Sequence, residues 1–396
     1  MVREDMLALG RRRSVIREIF EYGNKRKAEI GAENVFDFSL GNPSVPAPDV
    51  VTETLNKLIA EIPAEKLHAY TSAPGDLGVR TAIAEYIKNT FDFDAAPNQI
   101  YMTVGAAASL TVTLHALVGA GDEVIAFAPF FPEYRVFVEK TGAKLTVVNS
   151  TEGTFQIDRA ALDAAVNANT KAVIVNSPTN PTGAVLTEDS IKTLADVLNA
   201  KSAECGHPIY LISDEPYREL VYDNTPVPYI PQYYDNTIVG YSFSKSLSLP
   251  GERIGYIFVP SKAADAEMVY DAVCGAGRAL GFVCAPALFQ RLAAACLGKT
   301  ADVSIYDRNR KVLYDALTKM GFEAVYPDGA FYLFLKSPEA DANAFCEKAK
   351  AYELLLVPSD DFGCTGYARI SYCVTTEQIT RSLPAFRALA ESYGLI

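Results

Sequence analysis

The chain is poor in the residues that would make its chemistry metallic or oxidative. Its 396 residues include only 3 histidines, His68, His115 and His207, far apart and without ligand spacing. His115 falls on an apolar helical face and is expected in the core. The seven cysteines, at 205, 274, 284, 296, 346, 364 and 373, are odd in number and form no C-x-x-C pair. That excludes a disulfide framework or a zinc knuckle and suggests small buried hydrophobes. No apolar run approaches the roughly 20 residues of a membrane span. Arg11-Arg12-Arg13 has no apolar stretch of signal-peptide length behind it, so a cytoplasmic location is expected. Positive charge is also short: the formal balance is -12, and no segment supplies the basic face a nucleic-acid groove needs.

What is present is an ordinary globular composition, 49% hydrophobic and 21% charged, in a chain long enough for two domains. Helical spacing marks residues 12–30, 50–62 and 76–90. From Gln99 onward, short apolar runs at 100–104, 123–127, 144–148, 172–175, 209–212 and 237–241 alternate with helical segments, which predicts βαβ units and a largely parallel sheet covered on both faces. Residues 303–320, 342–352 and 376–393 read as helices, with apolar runs at 322–325, 330–335, 354–357 and 367–372 between them. The loss of strict alternation suggests an α+β unit there. Gly275-Ala276-Gly277-Arg278-Ala279-Leu280-Gly281 has the wrong spacing for a dinucleotide loop. Arg278 reads as a surface arginine, with a substrate-reading role the sharper alternative.

Ligands of open parallel sheets collect at the carboxyl ends of the strands, and the polar motifs of this chain fall there. Gly105-Ala106-Ala107-Ala108 opens a helix with small residues that leave its first N–H groups free for an anion. Phe130-Phe131 offers flat rings between prolines, Asn176 to Gly183 a turn with amide side chains, and Asp214-Glu215-Pro216-Tyr217 a carboxylate and a phenol. The run 237–241 ends by delivering Lys245 among serines, eight residues before Arg253. A lysine that attacks a carbonyl must lose its proton, and a partly desolvated site with a second cation nearby promotes this. Each feature alone has a plain structural reading; five on one sheet edge do not sit there by accident.

The set Gly41-Asn42-Pro43, Tyr70, Gly105-Ala106-Ala107, Phe131-Pro132, Asn180-Pro181-Thr182-Gly183, Asp214-Glu215-Pro216-Tyr217, Ser242-x-x-Lys245, Arg253 and Ala368-Arg369-Ile370-Ser371 closely resembles the class I and II aminotransferases of the aspartate aminotransferase type. These are fold-type I enzymes that use pyridoxal 5'-phosphate (PLP). The resemblance spans almost the whole chain in the family's order. It implies a homodimer with active sites at the subunit interface, a large PLP-binding domain at 46–284, and a small domain from 1–45 and 285–396. By resemblance Lys245 is the Schiff-base lysine, Asp214 pairs with the pyridinium nitrogen, Tyr217 and Asn180 reach the ring's phenolic oxygen, and Phe131 stacks on the ring. Gly105, Ala106, Ala107, Ser242 and Arg253 hold the phosphate, and Tyr70 reaches over from the second subunit. The three alanines offer only backbone where some members have hydroxyls. Arg369 grips the substrate α-carboxylate, with Gly41 and Asn180 beside it. The implied reaction is ping-pong transamination between an L-amino acid and a 2-oxo acid, 2-oxoglutarate being the common acceptor.

Two alternatives share these residues. A PLP-dependent carbon–sulfur lyase would hold the cofactor alike and differ in the fate of the carbanion. A serine acylase could cite Ser242-x-x-Lys245, but its Lys-Thr-Gly element should follow that motif, whereas Lys140-Thr141-Gly142 precedes it by about a hundred residues.

Overall fold

The structure, a computed structural model, describes residues 2–11 and 14–396. Thirteen strands occur in chain order among the described residues: β1 (Phe36–Asp37), β2 (Ile100–Thr103), β3 (Glu123–Ala128), β4 (Lys144–Asn149), β5 (Thr170–Asn176), β6 (Tyr210–Asp214), β7 (Thr237–Ser242), β8 (Gly255–Phe258), β9 (Ala324–Val325), β10 (Tyr332–Lys336), β11 (Leu354–Leu355), β12 (Val357–Pro358) and β13 (Tyr367–Ser371). Seven form one sheet in the order β2-β8-β7-β6-β5-β3-β4. All pairings in it are parallel except those of β8, which runs against both neighbours. The fold is therefore α/β, with the mostly parallel sheet that the alternation predicts.

Alternation along the central strands sends side chains into two separate cores, as burial on both faces of a parallel sheet requires. Ile125, Phe127, Val173, Val175 and Leu211 pack on one face, whereas Val124, Ala126, Ala172, Ile174 and Ile212 pack on the other. Connecting helices begin where side chains satisfy their first N–H groups. The carboxylate of Asp76 accepts from Gly78 and Val79 at the start of the helix Leu77–Phe91, and Thr187 caps Glu188–Cys205, which ends at Gly206 in the left-handed region, φ 74°. The expected helix 12–30 is seen as Val15–Ile30; positions 12 and 13 lie outside the described residues.

A second, four-stranded antiparallel sheet has the order β12-β13-β10-β9, and β1 pairs separately with β11 in parallel. The helices Val303–Lys319, Ala342–Lys350 and Thr376–Glu391 accompany these strands, which makes this region α+β as its irregular patterning suggests.

Several expectations need correction. Strand β8 was not among the runs singled out, because Gly255-Tyr256-Ile257-Phe258 is short and opens on glycine. Residues 35–40 alternate in a way that predicts a short strand, but contribute only two strand residues before leaving as a loop. His115 is half-buried on its helix, with Nδ1 2.8 Å from the Thr111 carbonyl, rather than a core residue. Of the cysteines only 296, 346 and 373 are buried; the other four are half-buried. Two other readings agree with the structure: the glycine-rich 275–281 stretch belongs to the helix Ala266–Leu280 and its C-cap rather than to a dinucleotide loop, and Arg278 on it is exposed.

Candidate active site

The direction of β8 explains how the sheet edge is built. Strands β2, β5, β6 and β7 all end on this edge, and β8, running the other way, begins there. Arg253, two residues before β8, is thereby returned beside Gly105, two residues beyond Thr103 at the end of β2. A Cβ on Gly105 would lie 2.9 Å from the Arg253 guanidinium, and its φ of 89° further favours glycine. Gly105 caps the helix Ala106–Leu117, so the N–H groups of Ala106 and Ala107 face the cavity without helical acceptors.

The cavity has a volume of about 280 Å³. Of the residues expected at the site, Gly41, Ala106, Ala107, Phe131, Asn180, Asp214, Tyr217, Ser242, Lys245, Arg253 and Arg369 line it together. Gly105 stands behind the wall as the helix cap. Tyr70 does not line the cavity of its own chain and is 96% exposed.

Lys245 lies in a short helical turn directly after β7. Its Nζ donates to the Gly41 carbonyl at 2.7 Å and has no carboxylate partner among the described residues. Burial, with Arg253 and Arg369 as like charges nearby and Cys373 opposing them, brings its pKa down to about 8. A substantial fraction of the amine is therefore neutral near physiological pH. Ser242 bonds instead to Ser244, accepting from its N–H at 3.1 Å and donating to its hydroxyl at 2.8 Å. No hydrogen bond joins Ser242 to Lys245 among the described residues, and Lys140-Thr141-Gly142 lies at a turn into β4, so the acylase arrangement is not formed.

Asp214 ends β6 and is buried. Tyr134 donates to its Oδ2 at 2.6 Å, and Asn176 Nδ2 to its backbone carbonyl at 2.8 Å, while Oδ1 has no partner. Burial raises its pKa to about 7, with Glu215 adding to the rise and the Tyr134 bond opposing it. Such a carboxylate is costly to ionise unless a cation meets it.

Arg369 is central in the four-stranded sheet, opposite Phe334 on β10 and Val357 on β12. Its guanidinium donates to Asn180 Oδ1 at 3.1 Å and the Ser39 carbonyl at 2.5 Å, leaving Nε unpartnered. It is 2% exposed and forms no ion pair among the described residues. The loop after β1 thus closes on the site at three points, through Ser39, Leu40 and Gly41.

Residues not expected also line the cavity: Ile16, Leu40, Asn176, Ser244 and Tyr332. Tyr134 was missed behind the wall because it reads as an ordinary residue of an amphipathic helix. Asn176 and Ser244 lay within turns already singled out, so their position was the available signal. Tyr332 was hidden in the apolar run 330–335.

Among the described residues, a lysine without a carboxylate partner, a buried carboxylate with a free oxygen and a buried guanidinium without a counter-charge share one cavity, an arrangement suited to a small molecule carrying a carboxylate. Comparison with known proteins narrows that class. The family described as Aminotransferase class I and II matches residues 33–386, so the chain belongs to the class I and II aminotransferases. It is similar to the crystal structure of an amino transferase from Eubacterium rectale, with 53% identity over 99% of both chains and a TM-score of 0.97. It is 30% identical to the aspartate aminotransferase of Thermotoga maritima, covering 93% of this chain and 95% of that protein. It is 29% identical to a probable N-acetyl-LL-diaminopimelate aminotransferase of Bacillus subtilis, over 93% and 92% of the two chains.

Proposed function

We propose that the cavity binds PLP and that the protein transfers the amino group of an L-amino acid to a 2-oxo acid, with 2-oxoglutarate as common acceptor, by a ping-pong route. The observation that carries this reading is the presence, in one cavity, of the Lys245 amine, without a carboxylate partner among the described residues, and the unpartnered Oδ1 of buried Asp214. The cavity's polar groups fit the cofactor. The free Oδ1 would receive the pyridinium N–H, Tyr217 and Asn180 the ring's phenolic oxygen, and Phe131 a ring face. The N–H groups of Ala106 and Ala107, with Ser242 and Arg253, would hold the phosphate. Ser244, bonded to Ser242, joins this set.

PLP, when bound, supplies an aldehyde for an amine and a sink for the electron pair released at Cα. Lys245 would anchor it and, as a free amine, would move the proton at the substrate Cα through Nζ; a pKa near 8 suits an amine that must both accept and return a proton. Asp214 would keep the ring nitrogen protonated. Arg369 would receive the α-carboxylate as a two-pronged pair and so orient the Cα bond to be broken. Supporting the same reading, Tyr70, exposed in its own chain, would reach the phosphate of a second subunit in a homodimer. The cofactor-bearing domain would comprise 46–284, and the remainder the smaller one.

The test is a half-reaction screen. Each amino acid is added to the yellow holoprotein in the absence of a 2-oxo acid, and absorbance is followed for conversion to the pyridoxamine form. Conversion, reversed by a 2-oxo acid, is expected. Pyruvate and ammonia released from cysteine-like substrates without conversion would replace this reading with the carbon–sulfur lyase.

A further inference from the structure

Tyr332 stands where three parts of the cavity meet. Its hydroxyl lies 2.9 Å from that of Tyr217. The Arg369 guanidinium sits 4.7 Å from its ring centroid. A Cβ on Gly41 would fall 2.0 Å from its oxygen, so the ring end closes against the loop whose carbonyl holds Lys245. The register explains the convergence: Tyr332 opposes Ser371 and Phe334 opposes Arg369, which puts Tyr332 and Arg369 diagonally on one face of the sheet.

Two phenols that share one hydrogen bond hold two protons and use one of them. Whichever hydroxyl donates leaves the other with a proton to give elsewhere. Both are buried, and neither makes another side-chain hydrogen bond among the described residues. The groups facing the pair are Arg369 and Cys373 beside Tyr332, Asp214 and Tyr134 beside Tyr217, and Lys245 across the cavity. Burial raises both phenols, and the Arg369 guanidinium opposes the rise in each. Of the two, Tyr217 lies beside Asp214, where the cofactor ring would sit, and Tyr332 lies against Gly41, so the arrangement that frees the proton facing the ring is the one in which Tyr332 donates.

We propose that Tyr332 is a positioning residue for Tyr217: its hydroxyl donates to the Tyr217 oxygen and leaves the Tyr217 proton free for the ring oxygen of the bound cofactor. A hydroxyl that accepts one hydrogen bond becomes a stronger donor in the next, so Tyr332 also strengthens that contact. It links the contact to the side chain that supports the α-carboxylate cation.

This inference rests on the cofactor reading, and its test separates the two. Tyr332→Phe keeps the ring, its packing and the Arg369 contact, and removes the hydroxyl alone. In the holoprotein, the pH at which the bound chromophore's absorbance changes is titrated for wild type, Y332F, Y217F and the double variant. Because a donor to the ring oxygen favours its deprotonated form, Y332F should shift the transition upward by roughly 0.5 unit. Y217F should shift it further, and the double variant should match Y217F alone. A Y332F titration superimposable on wild type, or shifts that simply add, would overturn the proposal while leaving the cofactor reading intact. A wild-type protein with no titrating chromophore would overturn both.

Discussion

Replacing Asp214 with asparagine should stabilise the cofactor-free protein while disabling the loaded one, and the stabilisation should depend on pH. In an unfolded chain this carboxyl titrates near 3.8, and in the fold burial raises it to about 7. Below pH 3.8 both states hold the proton and the group is neutral with respect to folding. Between 3.8 and about 7 the unfolded chain releases the proton and the folded one keeps it, so the cost of folding grows; above about 7 the full cost is in place. A rise of that size corresponds to roughly 4 kcal/mol as an upper figure. Asparagine keeps an oxygen for the Tyr134 hydroxyl and carries no charge. Denaturant unfolding of cofactor-free wild type and D214N at about pH 5 and about pH 8.5 isolates the group. The difference between them should widen in favour of D214N by about 3 kcal/mol across that interval. With cofactor, a ring cation at Oδ1 should remove that pH dependence from wild type. A D214N protein destabilised equally at both pH values would refute the reasoning.

Arg369→Lys keeps the charge and loses the fork, so kcat/KM for donor and acceptor alike should fall by ~10²-fold while the cofactor absorbance is unchanged. Unaltered steady-state kinetics would remove Arg369 from the substrate site. Gly41→Ala would place a Cβ 2.0 Å from the Tyr332 hydroxyl and force the loop or the ring to move. It should lower kcat/KM by at least ~10-fold, and unchanged kinetics would contradict the close approach.

The sheet was legible because its central strands are buried on both faces and so read as apolar runs between helices, and because Gly105, Asn180, Asp214 and Lys245 stand just after such runs. Arg253 was legible from its place eight residues after Lys245, but the strand that returns it to the edge, β8, was not, being four residues long and beginning with glycine. Arg369 lay on a visibly alternating run, but its missing counter-charge is a property of the assembled sheets. The lowered pKa of Lys245 and the raised pKa of Asp214 come chiefly from burial in the assembled fold. Tyr134, eighty residues before the carboxylate it contacts, carries no local mark. Tyr332 reads as core because its ring is core; only its hydroxyl belongs to the site.

The most direct test of the whole account is borohydride reduction of the holoprotein followed by peptide mapping. The predicted result is one cofactor-bearing peptide, containing Lys245, and no label or turnover in Lys245→Ala. Label on a different lysine, or a fully active Lys245→Ala protein, would contradict the account.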